Sequence, residues 1–366
     1  MKVEVTALSV PWRAPLVASH AEVGAEAERP LLLLALTGHD GVTGYGEAAP
    51  IEGYDGVSMD AVREALARSE GVLRRSDGDD LEALVAACAQ AAPLPEALAA
   101  IDMALWDLAG RRAGEPVWKL LGGAGGGDAD AGAIAVNATI GAVAPARAAD
   151  QAAGAVAAGF RCVKVKVGVG EDEQRLAAVR AAVGPEVAIR VDANGAWTVP
   201  QAVESLASLG ASGVELCEEP VHGLDGIAAV STAARDSAVN GVHVAIAVDE
   251  SARDPAWRAA RVCDAVCLKV ARCGGVSGVV ADAAAARRAR YGVYLASTLD
   301  GPLGIAAALH AAAVVSPDRH CGLATLGRFE RPDPVGVRAG SMSPPDGAGL
   351  GDGLLGWYRD VVRVDD

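Results

Sequence analysis

Positive charge is scarce in this 366-residue chain: 32 Lys and Arg stand against 47 Asp and Glu, a formal net charge of −15 at pH 7. Nucleic-acid binders normally carry a basic patch, so the balance argues against nucleic acid as a partner. Long apolar runs are missing too. No stretch has the length and continuity of a membrane-spanning helix, and runs such as AAALHAAAVV are short and interrupted. The opening MKVEVTALSVPW lacks the basic region and apolar core of a signal peptide, so a cytoplasmic location without a membrane partner is expected. A disulfide framework is also absent. Seven cysteines, an odd number, lie scattered in apolar contexts and read as buried free thiols of a reducing compartment. Cys263 and Cys267 would share one helix face, but their neighbours read as a strand, which argues against a metal-binding pair.

Hydrophobic residues make up 51% of the chain, enough for a large core. The first 55 residues read as strands. KVEVTALSV alternates in part, and RPLLLLALTGHDGVTGYGEAAP reads as strand, Asp-Gly turn, strand, with a small-residue loop between the two. From about residue 58 to 121 the pattern is helical: Ile101, Leu105 and Leu108 follow helical spacing, and Gly114 and Pro116 end that helix. After Gly132 short β-rich runs alternate with Ala-rich helical runs: AIAVNATI, CVKVKVGV, VAIRVDANGAW, GVELCEEP, HVAIAVDES, AVCLKVAR, GVYLAST and CGLATL. Eight strands separated by helices predict an α/β chain with a (β/α) barrel. A doubly wound sheet is the competing arrangement, but KVGVGEDE does not supply its GxGxxG phosphate loop. The Gly- and Pro-rich tail does not read as another barrel unit and is expected to run back over the N-terminal domain.

Charged residues recur at strand ends. From Lys166 to Asp192, Glu218, Asp249 and Lys269 the gaps are 26, 26, 31 and 20 residues, the lengths of single βα units. Strand period places Asp249 with Ala247 and Ala245, and Lys269 with Cys267 and Ala265, on the face that looks into the barrel. A single acid closing a strand is usually a cap or loop residue. Three carboxylates and the ammonium groups of Lys164, Lys166 and Lys269 meeting in one barrel mouth need another account. Asp192, Glu218 and Asp249 can supply hard oxygen ligands to Mg²⁺, with Mn²⁺ as a substitute, and flanking lysines can act as bases or electrostatic partners. An inert barrel serving as a scaffold or sugar-binding protein would not require all six charges.

KVK at 164–166, VDANGAW at 191–197, EEP at 218–220, VDES at 248–251 and LKVARCGG at 268–275 together resemble the enolase superfamily, in its muconate-lactonising subgroup. The resemblance implies a modified (β/α)₇β barrel with an N-terminal α+β capping domain, divided as cap 1–125, barrel 126–330 and a returning segment 331–366. It implies abstraction of a proton α to a carboxylate of a small-molecule substrate, giving an enediolate held by Mg²⁺. By the same resemblance Asp192, Glu218 and Asp249 are metal ligands, Lys166 and Lys269 are the acid/base pair, and Lys164 lowers the pKa of Lys166 and contacts the carboxylate. Asn194 orients ligands or water, and Glu219, facing outward by strand period, is structural.

Specificity is expected from cap loops near Arg13–His20 and Ile51–Gly56, with Arg13, Ser19, His20 and Tyr54 as contacts, and from the last strand ends, with Ser297, Asp300 and Thr325. GEAAPIEGYDG, VNATIG with its Asn137, and GLATL resemble o-succinylbenzoate synthases, which makes that dehydration, in menaquinone biosynthesis, the expected reaction. Muconate-type cycloisomerase, N-acylamino acid racemase and dipeptide epimerase are the alternatives. CGLATLGRF lacks the Asp-x-Asp that dipeptide epimerases use to clamp an ammonium. Homo-oligomerisation is left open.

Overall fold

The computed structural model describes residues 1–13, 16–17, 22–23, 28–122, 132–237, 243–359 and 362–363. Strand Lys2–Pro11 pairs antiparallel with Glu28–Thr37, which turns at Asp40 and Gly41 into Thr43–Ala48. Within the Leu31–Leu34 run and its continuation the side chains divide by strand period. Leu32, Leu34 and Leu36 pack with helices Met59–Arg74, Leu81–Ala91 and Pro95–Ala113. Leu31, with Leu8 and Val10, joins the barrel core on the other face. A sheet buried on both faces explains why this strand reads as a continuous apolar run.

Helix Pro95–Ala113 starts with Pro in its first turn, where the missing N–H costs nothing, and stops at Gly114 with φ 69°. It lies close on strand Thr43–Ala48 because that strand offers glycine: a Cβ at Gly46 would stand 2.0 Å from the Ala100 carbonyl oxygen, and one at Gly44 2.2 Å from that of Ala104. Two loop expectations are corrected here. The segment between the first strands contains a small hairpin, Leu16–Val17 against Glu22–Val23. Residues 51–56 contain a helical turn, Glu52–Asp55, whose Asp55 carboxylate reaches back to the Ile51 N–H at 3.0 Å and which Gly56 ends at φ 68°.

Seven consecutive parallel strands follow: Ala138–Ile140, Cys162–Lys166, Ala188–Asp192, Val214–Glu218, Ala245–Val248, Ala265–Leu268 and Gly292–Leu295. The sheet closes through parallel bridges Val136↔Cys321 and Ala296↔Gly322, so residues 321–322 take the eighth position between the seventh strand and the first. The curled sheet is thus a modified (β/α)₇β barrel, capped by the N-terminal sheet and helices. AIAVNATI splits: Ile134–Ala135 leaves the barrel to pair with Ser341–Met342, and only the second half joins it. The strict alternation also fails once, because 3₁₀ turns at Glu250–Arg253 and Pro255–Arg258 replace the helix after the fifth strand. Pro255 and the Trp257 indole, bonded to the Ala252 carbonyl, fix that turn.

The last helix, Pro302–Val315, is buried nearly all round, as its Ala-rich sequence permits. Its neighbours include the cap strand Thr43–Ala48 and the turn Leu354–Tyr358. Val362–Arg363 then pairs with Leu8 and Ser9 of the first strand. Among the described residues no helix is long and apolar enough to cross a membrane.

Candidate active site

The charged strand ends meet at one rim, the C-terminal end of the barrel strands. From the second strand, Lys164 Nζ donates to Glu218 Oε1 at 2.6 Å and approaches Asp192 Oδ2 at 2.8 Å. Lys166 Nζ donates to Asp192 Oδ2 at 2.6 Å and to Asn194 Oδ1 at 2.7 Å. Asn194 is held in turn: its N–H donates to Asp192 Oδ1 and its Nδ2 to Glu250 Oε1. From the sixth strand end, Lys269 Nζ donates to Asp249 Oδ2 at 2.8 Å and to the Tyr54 hydroxyl at 2.7 Å, and that hydroxyl donates to Asp249 Oδ2 at 2.7 Å. The cap helical turn therefore reaches the chemistry directly.

Backbone geometry at the rim is unusual at two positions. Asn194 and Glu219 hold φ of 47° and 41°, sparsely populated for residues with a Cβ. Glu219, fully buried, accepts the Asp249 N–H at 2.8 Å and the Ser251 N–H at 3.0 Å, so it fixes the turn that presents Asp249.

Electrostatics tie the cluster together. Burial works against the Asp192 charge, yet Lys164 and Lys166 hold its pKa at about 2. Burial likewise opposes the Asp249 charge, but Lys269, Arg272 and Lys164 hold the carboxyl well below its usual range. Glu218 goes the other way: burial, reinforced by Asp192 and Asp249, pushes it up to about 7 against the pull of Lys164. Lys164 loses charge stability through burial but gains more from Asp192, Glu218 and Asp249, so its pKa rises well above the usual value. Its ammonium is thereby committed to two carboxylates.

Glu218, Asp249 and Cys267 place one ligand atom each within 4.8 Å of one another, a group that can hold a metal ion. Asp192 falls outside that trio; its Oδ2 carries both lysine contacts. The donor chemistry favours the carboxylates for a hard cation such as Mg²⁺, since a thiol is a soft ligand. One ammonium, Lys164, already draws Asp192 and Glu218 onto a single positive centre, so these acids fit a shared cation. Cys263 takes no part in the group; its thiol bonds the Ala265 carbonyl.

Tyr54, Lys164, Lys166, Asp192, Asn194, Asp249, Lys269, Ser297 and Thr325 line one cavity, with the Ser297 and Thr325 hydroxyls 2.9 Å apart. Other expected contacts lie elsewhere. Asn137 is buried at the barrel closure, its N–H bonded to the Cys321 carbonyl. Asp300 is buried outside the cavity lining, accepting the Thr298 N–H at 3.2 Å with the Arg29 charge beside it. Arg13 is exposed and uses Nε on the Phe329 carbonyl. Ser19 and His20 fall outside the described residues. Sequence reasoning missed Arg272, whose Nη2 donates to Asp249 Oδ1 at 2.5 Å, and Tyr294, whose hydroxyl donates to Glu218 Oε2 at 2.7 Å. Tyr294 was findable, since strand period puts it on the inner face of GVYLAST. Arg272 was not, because a helical turn at Val270–Cys273 redirects it.

Residues 2–122 match the mandelate racemase / muconate lactonizing enzyme N-terminal domain, and residues 147–354 match the enolase C-terminal domain-like family. The N-succinyl-L-Arg/Lys racemase of Bacillus cereus is 29% identical over 60% of this chain, and the chain spans 58% of that relative. The chain is 30% identical to muconate cycloisomerase 1 of Rhodococcus opacus, over 98% of each. A dipeptide epimerase from Cytophaga hutchinsonii, solved with Mg and the dipeptide D-Ala-L-Val, superposes with a TM-score of 0.83 at 26% identity, covering 99% of this chain and 98% of its own. With both halves matched and the barrel rim built from these acids and lysines, the chain is an enzyme of the enolase superfamily and belongs to its mandelate racemase / muconate lactonizing enzyme family.

Proposed function

We propose that this chain removes and returns a proton α to the carboxylate of a small substrate, as a racemase, with divalent Mg²⁺ held by Asp192, Glu218 and Asp249. The observation that carries this reading is the placement of Lys166 and Lys269 on the second and sixth of eight barrel positions, on opposite walls of one cavity. Two bases on opposite walls can address the two faces of one α-carbon. When bound, the cation neutralises negative charge that develops on the substrate carboxylate as the proton leaves. Lys166, steadied by Asn194, takes the proton from one face, and Lys269, steadied by Tyr54, delivers one to the other. Lys164 stays charged beside the carboxylates and supplies fixed positive potential. Residues 1–125, through Ile51 and Tyr54, close the mouth over residues 126–330, and 331–366 secures the cap.

Named relatives support this choice over dehydration of a succinylbenzoate precursor: similar proteins include racemases, epimerases and cycloisomerases, with a sugar-acid dehydratase among them. A cycloisomerase is the second reading, favoured by the near full-length similarity to muconate cycloisomerase 1. The test is α-proton exchange in D₂O with Mg²⁺, using both enantiomers of N-acyl amino acids alongside muconates. A racemase exchanges both enantiomers; a cycloisomerase exchanges lactone product from one face. Lys166→Ala should silence exchange from the enantiomer whose α-proton Lys166 faces while metal affinity, read by calorimetry, stays near wild type. Lys269→Arg keeps the charge but makes a poor base and should silence the other enantiomer. Undiminished exchange in Lys166→Ala, or full turnover in excess EDTA, would remove the basis of the assignment.

A further inference from the structure

The cavity has two unlike walls. The third and fifth barrel strands bring Asp192 and Asp249 to one of them, and Lys166 and Lys269 flank these. The opposite wall is built by the seventh, eighth and first positions: Thr139, Ala296, Ser297, Thr298, Leu299, Gly322, Thr325 and Arg328 line the cavity there. Among the described residues every group on that wall is neutral except Arg328. A substrate whose reacting carboxylate faces the acidic wall must extend its other end toward this one.

Arg328 differs from the other cations of the cavity. Lys164, Lys166 and Lys269 each carry a carboxylate contact below 3 Å. Among the described residues Arg328 forms no ion pair; its side chain makes one hydrogen bond, from Nη2 to the Thr139 carbonyl at 3.0 Å. Burial lowers its pKa with no acid to offset the loss. Arg272 shows the usual remedy: burial opposes it as well, but Asp249 raises its pKa well above the ordinary value. A guanidinium stays protonated even so, which leaves a half-buried positive charge with free donors at a ligand cavity. The bond to Thr139 and the 3₁₀ turn Leu326–Arg328 hold the side chain in place, and the Arg13 N–H bonds the Arg328 carbonyl from the cap at 2.7 Å. Such a group is a preformed acceptor site for a carboxylate, ready to make charge-assisted bonds in a fork geometry.

We infer that the substrate is a dicarboxylate whose second carboxylate, remote from the reacting carbon, is taken by Arg328. The inference rests on the α-proton reading for the orientation of the substrate. It places a positive group where a dipeptide's ammonium would need a negative one, so free dipeptides bind badly.

The test uses matched pairs: an N-succinyl amino acid and cis,cis-muconate, each against the same molecule with its distal carboxylate converted to a primary amide. Calorimetry on the Mg²⁺-loaded protein measures binding whether or not turnover follows. Wild type should favour the dianion of one pair by about 10- to 100-fold, the range of a charge-assisted hydrogen bond; the responsive pair identifies the acyl or the diene acid as source. Arg328→Met should erase the preference, with the change in KM larger than that in kcat, and Arg328→Lys should restore part of it. Equal affinity for both members of both pairs in wild type overturns the inference without recourse to a variant. So does a preference that survives in Arg328→Met. Exchange lost from every substrate while the dianion preference persists would instead defeat the α-proton reading and leave Arg328 assigned.

Discussion

Replacing Tyr54 by Phe removes one oxygen that serves two buried charges. Its hydroxyl donates to Asp249 Oδ2 and accepts from Lys269 Nζ, both at 2.7 Å. The direction of the first bond is secure, because burial and then the Asp249 charge raise the phenol well above its usual pKa and keep it protonated. In Tyr54→Phe the direct Lys269–Asp249 contact at 2.8 Å remains, so neither charge is stranded. The loss is then near the lower end for hydrogen bonds to charged groups, about 1.5 kcal/mol, which converts to roughly 10-fold in kcat/KM. The ring stays over the Lys269 ammonium, 4.6 Å from its centroid in wild type. Tyr54→Leu also removes that, and should lose about a further 0.5–2 kcal/mol. The assay is α-proton exchange from each enantiomer separately, with the larger loss expected on the face served by Lys269. Rates for Tyr54→Phe within twofold of wild type on both faces would refute the view that the cap sets the geometry of this base.

The rim was legible because barrel topology converts a linear spacing into a ring. A βα unit of 20–31 residues returns the chain to the same height, so Lys166, Asp192, Glu218, Asp249 and Lys269 could be aligned without knowing any tertiary contact. What failed was whatever depends on a partner distant in sequence. AIAVNATI looks like one strand, yet Ile134–Ala135 is captured by Ser341–Met342, a pairing no local pattern announces. Residues 321–322 reach the eighth position through isolated bridges. The turn after them, and hence the placement of Arg328 beside Thr139, has no periodic signature. Cys267 was assigned to the inner face with Lys269, but its nearness to Glu218 and Asp249 depends on the radius of the closed barrel. Asp300 shows the limit from the other side: a polar residue in STLDG near a strand end resembles a ligand contact, while the Thr298 N–H and the Arg29 charge partner it outside the cavity lining.

Two further predictions concern the cap, one its interior and the other its seam with the barrel. Gly46→Ala would set a methyl 2.0 Å from the Ala100 carbonyl oxygen, so strand and helix must part; a loss of roughly 1–3 kcal/mol is expected in urea unfolding, and an unchanged midpoint would contradict the close approach. Glu47 gives a pH signature. Burial, and next the Asp300 charge, raise its carboxyl to about 7, although the Tyr358 hydroxyl and the Gly301 and Gly304 N–H groups favour the anion. Because the folded chain then holds this proton more tightly than the unfolded chain, the stabilisation is complete below pH about 4.5 and is lost as pH rises toward 7. Glu47→Gln keeps an acceptor for Tyr358 but carries no charge. Its unfolding free energy should exceed that of wild type by more at pH 8 than at pH 5, by up to roughly 3 kcal/mol. A difference between variant and wild type that is the same at both pH values would mean that Glu47 is ionised throughout, and that its contacts with Tyr358 and the helix start outweigh its burial.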